Sequence, residues 1–410
     1  MIELDVDFHI HGRYSGGTSE EMSIPLLASQ APLKGLDVLA TADALHGGWR
    51  RHLRECLTES EAGLYKAPNS PTRFVIQTEV EDERRVHHVI LLPSLEAADQ
   101  LADALRKRSV NIDTDGRPNV RMGAPELVDC VESVGGLIGP AHAFTPWTSL
   151  YKEFSSLAEC YGDRLKRVRF LELGLSADAD SADRVAELSG LTYMSNSDCH
   201  SPWPHRLGRE FNRILVKEPT FDEIRKAICR EGGRKFTMNA GLNPLEGKYH
   251  VSACSRCFLK FRWADALKMN RRCPECRGIV KKGVADRIDE LATHDAPRHP
   301  EHRPPYLHII PLAEAIALAT KTATITSKRV KNRWDALVAS FGTEIDVLVD
   351  ADISEVLKAD KEVGTVINLF RQGRMRYVAG GGGNYGHPSL TGEKDRYYRG
   401  GQKKLGDFRT

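Results

Sequence analysis

Asp7-Phe8-His9-Ile10-His11 closes the first apolar run of the chain. Leu4, Val6, Phe8 and Ile10 alternate with Asp5, Asp7, His9 and His11, which is the period-two pattern of a β-strand. Both histidines then share one face, one residue apart, and Gly12 can turn the chain directly after them. Two imidazoles at a strand end can hold one metal ion through ring nitrogens. The wet face of an amphipathic strand has the same pattern, so the later strand ends decide between the two readings.

Those ends repeat the chemistry. The apolar run 36–43 ends at Asp43, and 74–79 ends at Glu79. The run 87–92 opens with His87-His88. The run 136–142 ends at His142, 168–172 at Glu172, and 191–200 at Asp198 and His200. Helical patterns lie between them, at 20–30, 95–108 and 125–133. Short strands alternating with helices over some 200 residues predict parallel βα units. After the first strand the runs do not alternate strictly, as expected when both faces are buried. A closed α/β barrel with its polar groups at the carboxyl ends of the strands is the economical arrangement, and active sites of such barrels sit on that face.

Taken singly, these residues have plainer uses. Asp43 or Asp198 can cap a helix, His142 can be a turn residue, and His88 can be a satisfied core histidine. Together they supply more nitrogen and oxygen donors than a barrel needs. Mixed histidine and carboxylate ligands suit Zn²⁺, Mn²⁺ or Fe²⁺, and bridging carboxylates suit two or three ions about 4 Å apart. Such clusters act on phosphoryl groups by supplying hydroxide and stabilising both oxygens of the displacement.

With 410 residues the chain has room for two or three domains. No run approaches the roughly 18 apolar residues of a membrane span. Charged residues begin at Glu3, which is unlike a signal peptide. A cytoplasmic protein is expected. Net charge is only +2, but 225–285 carries fifteen Lys and Arg residues against Glu231, Glu246, Asp265 and Glu275. Such local bias suggests a polyanionic partner.

Nine cysteines include one clustered quartet, Cys254-x-x-Cys257 and Cys273-x-x-Cys276, with fifteen residues between the pairs. This is the spacing of a four-cysteine zinc ribbon or knuckle, a closed site that builds fold and does no chemistry. Tyr249, Phe258, Phe261 and Trp263 lie among the basic residues; they either stack bases or fill the small zinc core. Residues 281–303 read as a polar linker with Pro297 and Pro300, and 301–380 as a small helical DNA-contacting domain. The Gly-rich, charged segment 381–410 reads as a disordered tail. The division expected is therefore 1–240 barrel, 241–300 zinc module, 301–380 helical domain and 381–410 tail.

His9-x-His11, Thr41-Ala42-Asp43, Glu79, His88, Pro140-Ala141-His142 and Ser197-Asp198-Cys199-His200 stand in the order of the PHP (polymerase and histidinol phosphatase) superfamily, which the first 210 or so residues resemble. That resemblance implies a distorted (β/α)7 barrel. It also implies a ligand set of His9, His11, Asp43, Glu79, His88, His142, Asp198 and His200, with Glu79 bridging and the chemistry resting on Asp198, Glu79 and His200. Two positions depart from the pattern. Ala44 replaces the last residue of the Thr-Asp-His type motif, with His46 nearby, and Ser15 stands in the neighbourhood where some members carry a histidine.

A PHP barrel joined to a four-cysteine module and a helical end resembles the endonuclease Q family, archaeal and occasionally bacterial DNA repair nucleases. Asp7 through Ser15, Glu79 through His88, and Gly241-Leu242-Asn243-Pro244 onward carry that likeness. It implies cleavage 5′ of uracil, hypoxanthine, xanthine or an abasic site, leaving a 3′-hydroxyl and a 5′-phosphate. It implies zinc in the four-cysteine site and the cluster, with Mg²⁺ or Mn²⁺ supporting cleavage. Tyr14, Trp49, Phe144 and Trp147 lie near ligand positions and are candidates for the walls of a base pocket, or else rim packing. Gln402, Leu405 and Phe408 resemble a sliding-clamp (PCNA) binding motif, with Arg409 in place of its second aromatic. Two rival readings remain: a small-molecule phosphoesterase of PHP type, and a DNA-binding protein whose metals serve only the fold. Steep loss of DNA affinity with salt separates the DNA-directed readings from the small-molecule one.

Overall fold

The computed structural model describes residues 1–393 and 395–398. The opening run forms β1 (Ile2–Asp7). Ten strands follow: Val38–Ala40 (β2), Thr58–Glu61 (β3), Leu64–Lys66 (β4), Arg73–Glu81 (β5), His87–Leu92 (β6), Leu137–Pro140 (β7), Phe170–Glu172 (β8), Thr192–Met194 (β9), Phe211–Val216 (β10) and Lys235–Gly241 (β11). β1, β2 and β5 lie side by side in parallel, and β8 pairs parallel with β9. Past the ends of β1 and β9 the two segments meet. Ile10 and Cys199 form a parallel bridge, with His11 N–H on the Cys199 carbonyl and Asp198 N–H on the His9 carbonyl, both at 3.0 Å. That pairing closes the barrel and sets His9 and His11 beside Asp198 and His200.

The expectation of uniformly parallel units needs correction. β6 runs antiparallel to both β5 and β7, and β10 antiparallel to β1. Only the short turn 82–86 separates β5 from β6, too short for a crossover helix. The reversal brings the start of β6, with its histidines, to the same rim as the ends of the parallel strands. This explains why these histidines open their strand while the other ligands close theirs.

The alternation also slips once. Val6 and Phe8 join the inner core with Val38, Val75, Val89, Phe170 and Met194, whereas Ile10 joins the outer layer under the helices. β1 ends at Asp7, and the slip at Phe8-His9 turns the histidines to the inner side. Helix Phe221–Cys229 closes the far end of the barrel with Ile224, Ala227 and Ile228. Helices Ile24–Lys34, Gly47–Cys56, Leu95–Arg106 and Ala124–Ser133 bury their apolar faces in the outer layer.

The zinc module folds around the short pair Ala253–Cys254 (β12) and Val280–Lys281 (β13). The segment read as a linker contains helix Val284–Leu291, whose Val284 and Ile288 are buried. Tyr306–His308 (β14) adds to β11 in parallel and carries the chain to helices Leu312–Ala319, Lys328–Phe341, Ile353–Ala359 and Lys361–Arg371. The division at 380 is corrected too. Arg376–Val378 (β15) pairs with His387–Ser389 (β16), and the chain then returns to the zinc module. There Lys260 N–H bonds the Arg396 carbonyl at 3.1 Å, Lys260 meets Asp395, and Tyr398 stacks on Phe261. Residues 381–393 and 395–398 are thus part of the fold, while Gln402, Leu405 and Phe408 lie outside the described residues. No helix among the described residues is long and apolar enough to cross a membrane.

Glu210, at the start of the β10 region, is buried, and one carboxylate oxygen accepts the Leu242 N–H at 2.9 Å. Burial pushes its carboxyl up to about 8. A carboxyl raised on folding stabilises the fold below its unfolded value near 4.5, and that contribution is lost as pH rises toward 8. Glu210→Gln is therefore expected to show a smaller fall in Tm than the parent between about pH 5 and pH 8, read by calorimetry.

Candidate metal centre and nucleic-acid interface

Three of the strands that carry candidate ligands, β2, β7 and β9, are followed by strained turns. Ala42, Asp43, His142 and Asp198 have φ of 66°, 32°, 27° and 45°. Left-handed backbone at four non-glycine residues costs stability and is held only where the surroundings over-determine it, typically at functional sites.

The turns converge on Glu79. Its carboxylate lies 3.0 Å from His87 Nδ1, 3.0 Å from His142 Nε2, 3.5 Å from His11 Nε2 and 3.8 Å from His9 Nε2. His11 Nε2 lies 3.0 Å from Asp198 Oδ1. Three overlapping groups have the reach of metal sites: His9, His11 and Glu79; Glu79, His87 and His142; and His11, Asp198 and His200. Glu79 and His11 each serve two of them. The buried atoms His9 Nε2, His11 Nε2, His87 Nδ1, Asp43 Oδ2, Asp198 Oδ1 and His200 Nδ1 have no hydrogen-bond partner. Buried polar atoms are almost always partnered, so the five orphans that belong to the three groups fit divalent cations, while Asp43 Oδ2 faces Gly12 and Gly116.

Electrostatics agree. Burial opposes a charged imidazole, yet Glu172, Glu79 and Asp198 raise His9 to about 9. His11 and His142 reach about 9 against the same burial, through Asp198 and Asp43 for the first and Glu79 for the second. Burial likewise opposes ionisation of Glu79 and Asp198, but the surrounding histidines hold both carboxyls well below their usual range. The cluster favours positive charge.

Other residues aim the ligands. Glu172 is buried and lies 3.0 Å from His9 Nδ1, which directs His9 Nε2 into the cluster. It also accepts from His142 N–H at 2.8 Å and Asn196 Nδ2 at 2.9 Å. Ser15 Oγ donates to Asp43 at 2.8 Å and lies 3.3 Å from His11 Nδ1, which ties the two together.

Two sequence expectations change here. His88 does not reach the cluster: its ring bonds Asp82 at 3.2 Å and the Tyr161 hydroxyl at 2.9 Å. Glu81 pairs with His87 and Val80 with His88, so His87 shares the inner face with Glu79 while His88 faces the outer layer. His46 does not replace the missing ligand at Ala44. Its Nδ1 caps helix Gly47–Cys56 by accepting from Trp49 N–H.

The four base-pocket candidates are dispersed. Trp49 is fully buried with its indole on the Thr41 carbonyl. Phe144 is buried against Tyr151, Tyr14 stacks on His46 at 3.9 Å, and Trp147 is 48% exposed. The cavity that opens onto the ligands, about 420 Å³, is lined instead by His142, Asp198, His200, Arg206, Arg209 and Lys248, with Tyr249 and Tyr385. Arg209 is held by the Ser197 carbonyl at 3.0 Å, and Lys248 lies 5.5 Å from both tyrosine rings. Sequence reasoning also missed Arg117, which reaches Glu79 at 3.3 Å. A Cβ on Gly116 would lie 2.1 Å from Asp43 Oδ2, so only glycine lets that loop lie against the site. None of these rim arginines had a sequence signal beyond its charge.

The cysteines behave as expected. All four sulfurs lie within 4.8 Å of one another. The two turns are alike: Phe258 N–H bonds the Cys254 carbonyl, Arg277 N–H bonds the Cys273 carbonyl, and Phe258 and Arg277 have φ of 58° and 62°. Phe261 fills the small core and Trp263 packs at its edge, whereas Phe258 is exposed. Cys273→Ser is expected to lower metal content by one ion per chain and to expose 250–283 and 376–398 to limited proteolysis, because the site and the returning chain share one small core.

Comparison with known proteins follows this architecture. The crystal structure of a lesion-specific endonuclease from Pyrococcus furiosus matches with TM-score 0.90 and 46% identity, covering 94% of this chain and 95% of that one. A complex of endonuclease Q with a 27-mer duplex bearing an abasic lesion matches at 0.89 and 45%, over 94% and 96%. The chain belongs to the endonuclease Q family. Bacillus subtilis YqxK is 31% identical over 94% of this chain and 99% of its own length. Methanocaldococcus jannaschii MJ0043 is 47% identical over 63% of this chain, a match spanning 32% of that longer protein. Residues 311–374 match the MJ0043 C-terminal domain, which here comprises the helices from Leu312 to Arg371.

Proposed function

We propose that this endonuclease Q family chain hydrolyses the phosphodiester 5′ of a damaged nucleotide in DNA, at uracil, hypoxanthine, xanthine or an abasic site, leaving a 3′-hydroxyl and a 5′-phosphate. The observation that carries the proposal is the set of five orphaned atoms, of His9, His11, His87, Asp198 and His200, in the groups around Glu79 and His11, at the mouth of a cavity rimmed by Arg206, Arg209 and Lys248. His9, His11, Glu79, His87, His142, Asp198 and His200 would hold up to three ions, with Asp43 beside His11 through Ser15. Bound Zn²⁺, Mg²⁺ or Mn²⁺ supplies hydroxide near neutral pH and neutralises charge on the phosphoryl oxygens.

The chain's own groups do the rest. Arg206, Arg209 and Lys248 bind and orient the phosphate, which gives affinity without sequence preference. Tyr249 and Tyr385 offer faces to an extruded base, and a damaged base is cheaper to unstack. The resemblance of Gln402, Leu405 and Phe408 to a clamp-binding motif supports recruitment by PCNA; a peptide of 398–410 without clamp binding at high micromolar concentration would refute it.

The central test is one gel. Metal-loaded protein is incubated with 5′-labelled duplexes that carry one uracil, hypoxanthine or abasic site, beside an undamaged control. A single product ending just 5′ of each lesion is expected. Intact duplexes together with phosphate release from small phosphomonoesters would replace this function with that of a small-molecule phosphoesterase.

A further inference from the structure

A larger cleft, about 650 Å³, adjoins the cavity at the ligands and shares Thr145, Pro146 and Tyr249 with it. One wall is the barrel loop 144–155, and the other belongs to the zinc module. Each wall presents an indole with a cation on its face. Lys281 Nζ lies 5.1 Å from the Trp147 ring centre and Lys282 Nζ 5.4 Å from that of Trp263. Tyr249 meets Trp147 edge-on at 6.1 Å. Lys282 is paired with Glu290, but Lys281 and Arg271 have no carboxylate within 4 Å among the described residues. An indole left half in water beside unpaired cations does little for the fold.

We propose that this cleft is a second nucleotide subsite, taking an unstacked nucleotide of single-stranded DNA next to the cleavage site. The base stacks on Trp147, and its phosphate lies on Lys281 and Arg271. Aromatic faces with interleaved cations suit single strands, because every base has a π-face and every phosphate a charge. A neutral apolar ligand would leave those cations buried and unpaired, and an acidic peptide would leave the indoles uncovered. The identity of the ligand as DNA rests on the function proposed above; the cleft's preference for a stacked, anionic chain does not.

The test therefore uses undamaged DNA and needs no cleavage. The full metal-loaded chain is titrated with a decathymidylate single strand, following tryptophan fluorescence. Quenching is expected, with affinity about tenfold weaker in Trp147→Ala and largely restored in Trp147→Phe, which still stacks. Lys281→Glu should lower the slope of log affinity against log salt by about 0.7 or more. Trp147 is exposed, so its variants should melt with the parent. On a lesion duplex, Trp147→Ala should raise KM about tenfold with kcat unchanged. Single-strand affinity within twofold of the parent in both Trp147→Ala and Lys281→Glu would overturn the subsite, whatever the lesion gel shows. Trp147-dependent binding without lesion cleavage would leave the subsite standing and remove the proposed function.

Discussion

Asp198→Asn is expected to cut single-turnover cleavage by at least about 10³-fold while leaving DNA affinity within a few fold. The substitution is chosen for its geometry. Asp198 sits at φ 45°, a conformation that asparagine tolerates as well as aspartate, so the turn should survive. What changes is charge. Asp198 Oδ1 is an orphaned atom 3.0 Å from His11 Nε2, and the site's preference for cations depends on such carboxylates. An amide supplies no negative charge and can present N–H where a ligand is needed. Glu79→Gln should do at least as much, since Glu79 belongs to two of the three ligand groups. Binding should persist in both, because Arg206, Arg209, Lys248 and the zinc module are untouched. Metal content by mass spectrometry separates a lost ion from a misfolded chain. Full activity in either variant would mean that the ligands lie elsewhere.

Much of this candidate centre was legible because histidines and carboxylates are chemically unusual together at strand ends. His9, His11, Asp43, Glu79, His142, Asp198 and His200 stand out by type and position. Choosing between His87 and His88 is not a matter of type. It depends on the hand of one connection: a parallel β6 leaves the parity open, whereas the antiparallel hairpin fixes it through the pairing of Glu81 with His87. The turn of five residues between β5 and β6 was the signal available. The cavity lining was less accessible. Arg206, Arg209, Lys248 and Tyr385 come from three separate stretches that meet only in the fold, and no local pattern announces such a meeting. Proximity in sequence to a ligand, which suggested Trp49 and Phe144, selects buried supports of the rim as readily as its surface. The spacing of the four cysteines was decisive by itself, but the return of 376–393 and 395–398 onto that module was hidden by glycines that resemble a flexible tail. Gly382 is needed there for close approach, since a Cβ would lie 2.4 Å from the Cys254 carbonyl.

The largest stability effect is expected far from the metals. Lys34, in helix Ile24–Lys34, reaches Glu344 with Nζ 2.6 Å from the carboxylate, and both side chains are 1% exposed. Nζ also donates to the Pro204 carbonyl at 2.9 Å. Glu344 in turn accepts from Trp334 Nε1 at 2.6 Å and from Leu312 N–H at 3.0 Å. One buried carboxylate therefore joins two helices of the C-terminal region to the barrel, and its charge is matched by one lysine. Lys34→Met keeps the stem and removes the ammonium, which leaves an unmatched charge in the interior. Breaking such a pair costs about 3–5 kcal/mol, more than the pair itself contributes. A fall in Tm of roughly 3–6 °C is expected for a chain of this size, with the region 311–374 cleaved first in limited proteolysis. Adding Glu344→Gln to Lys34→Met should recover part of the loss, because the amide removes the unmatched charge, and its one carbonyl oxygen can still accept from either Trp334 or Leu312, which now bond separate carboxylate oxygens. If Lys34→Met alone melts with the parent, water reaches this interface and the helical region is not locked to the barrel. If the double variant is no better than the single one, the hydrogen bonds of the ammonium to Glu344 and the Pro204 carbonyl, and not the matching of charge, hold the two together.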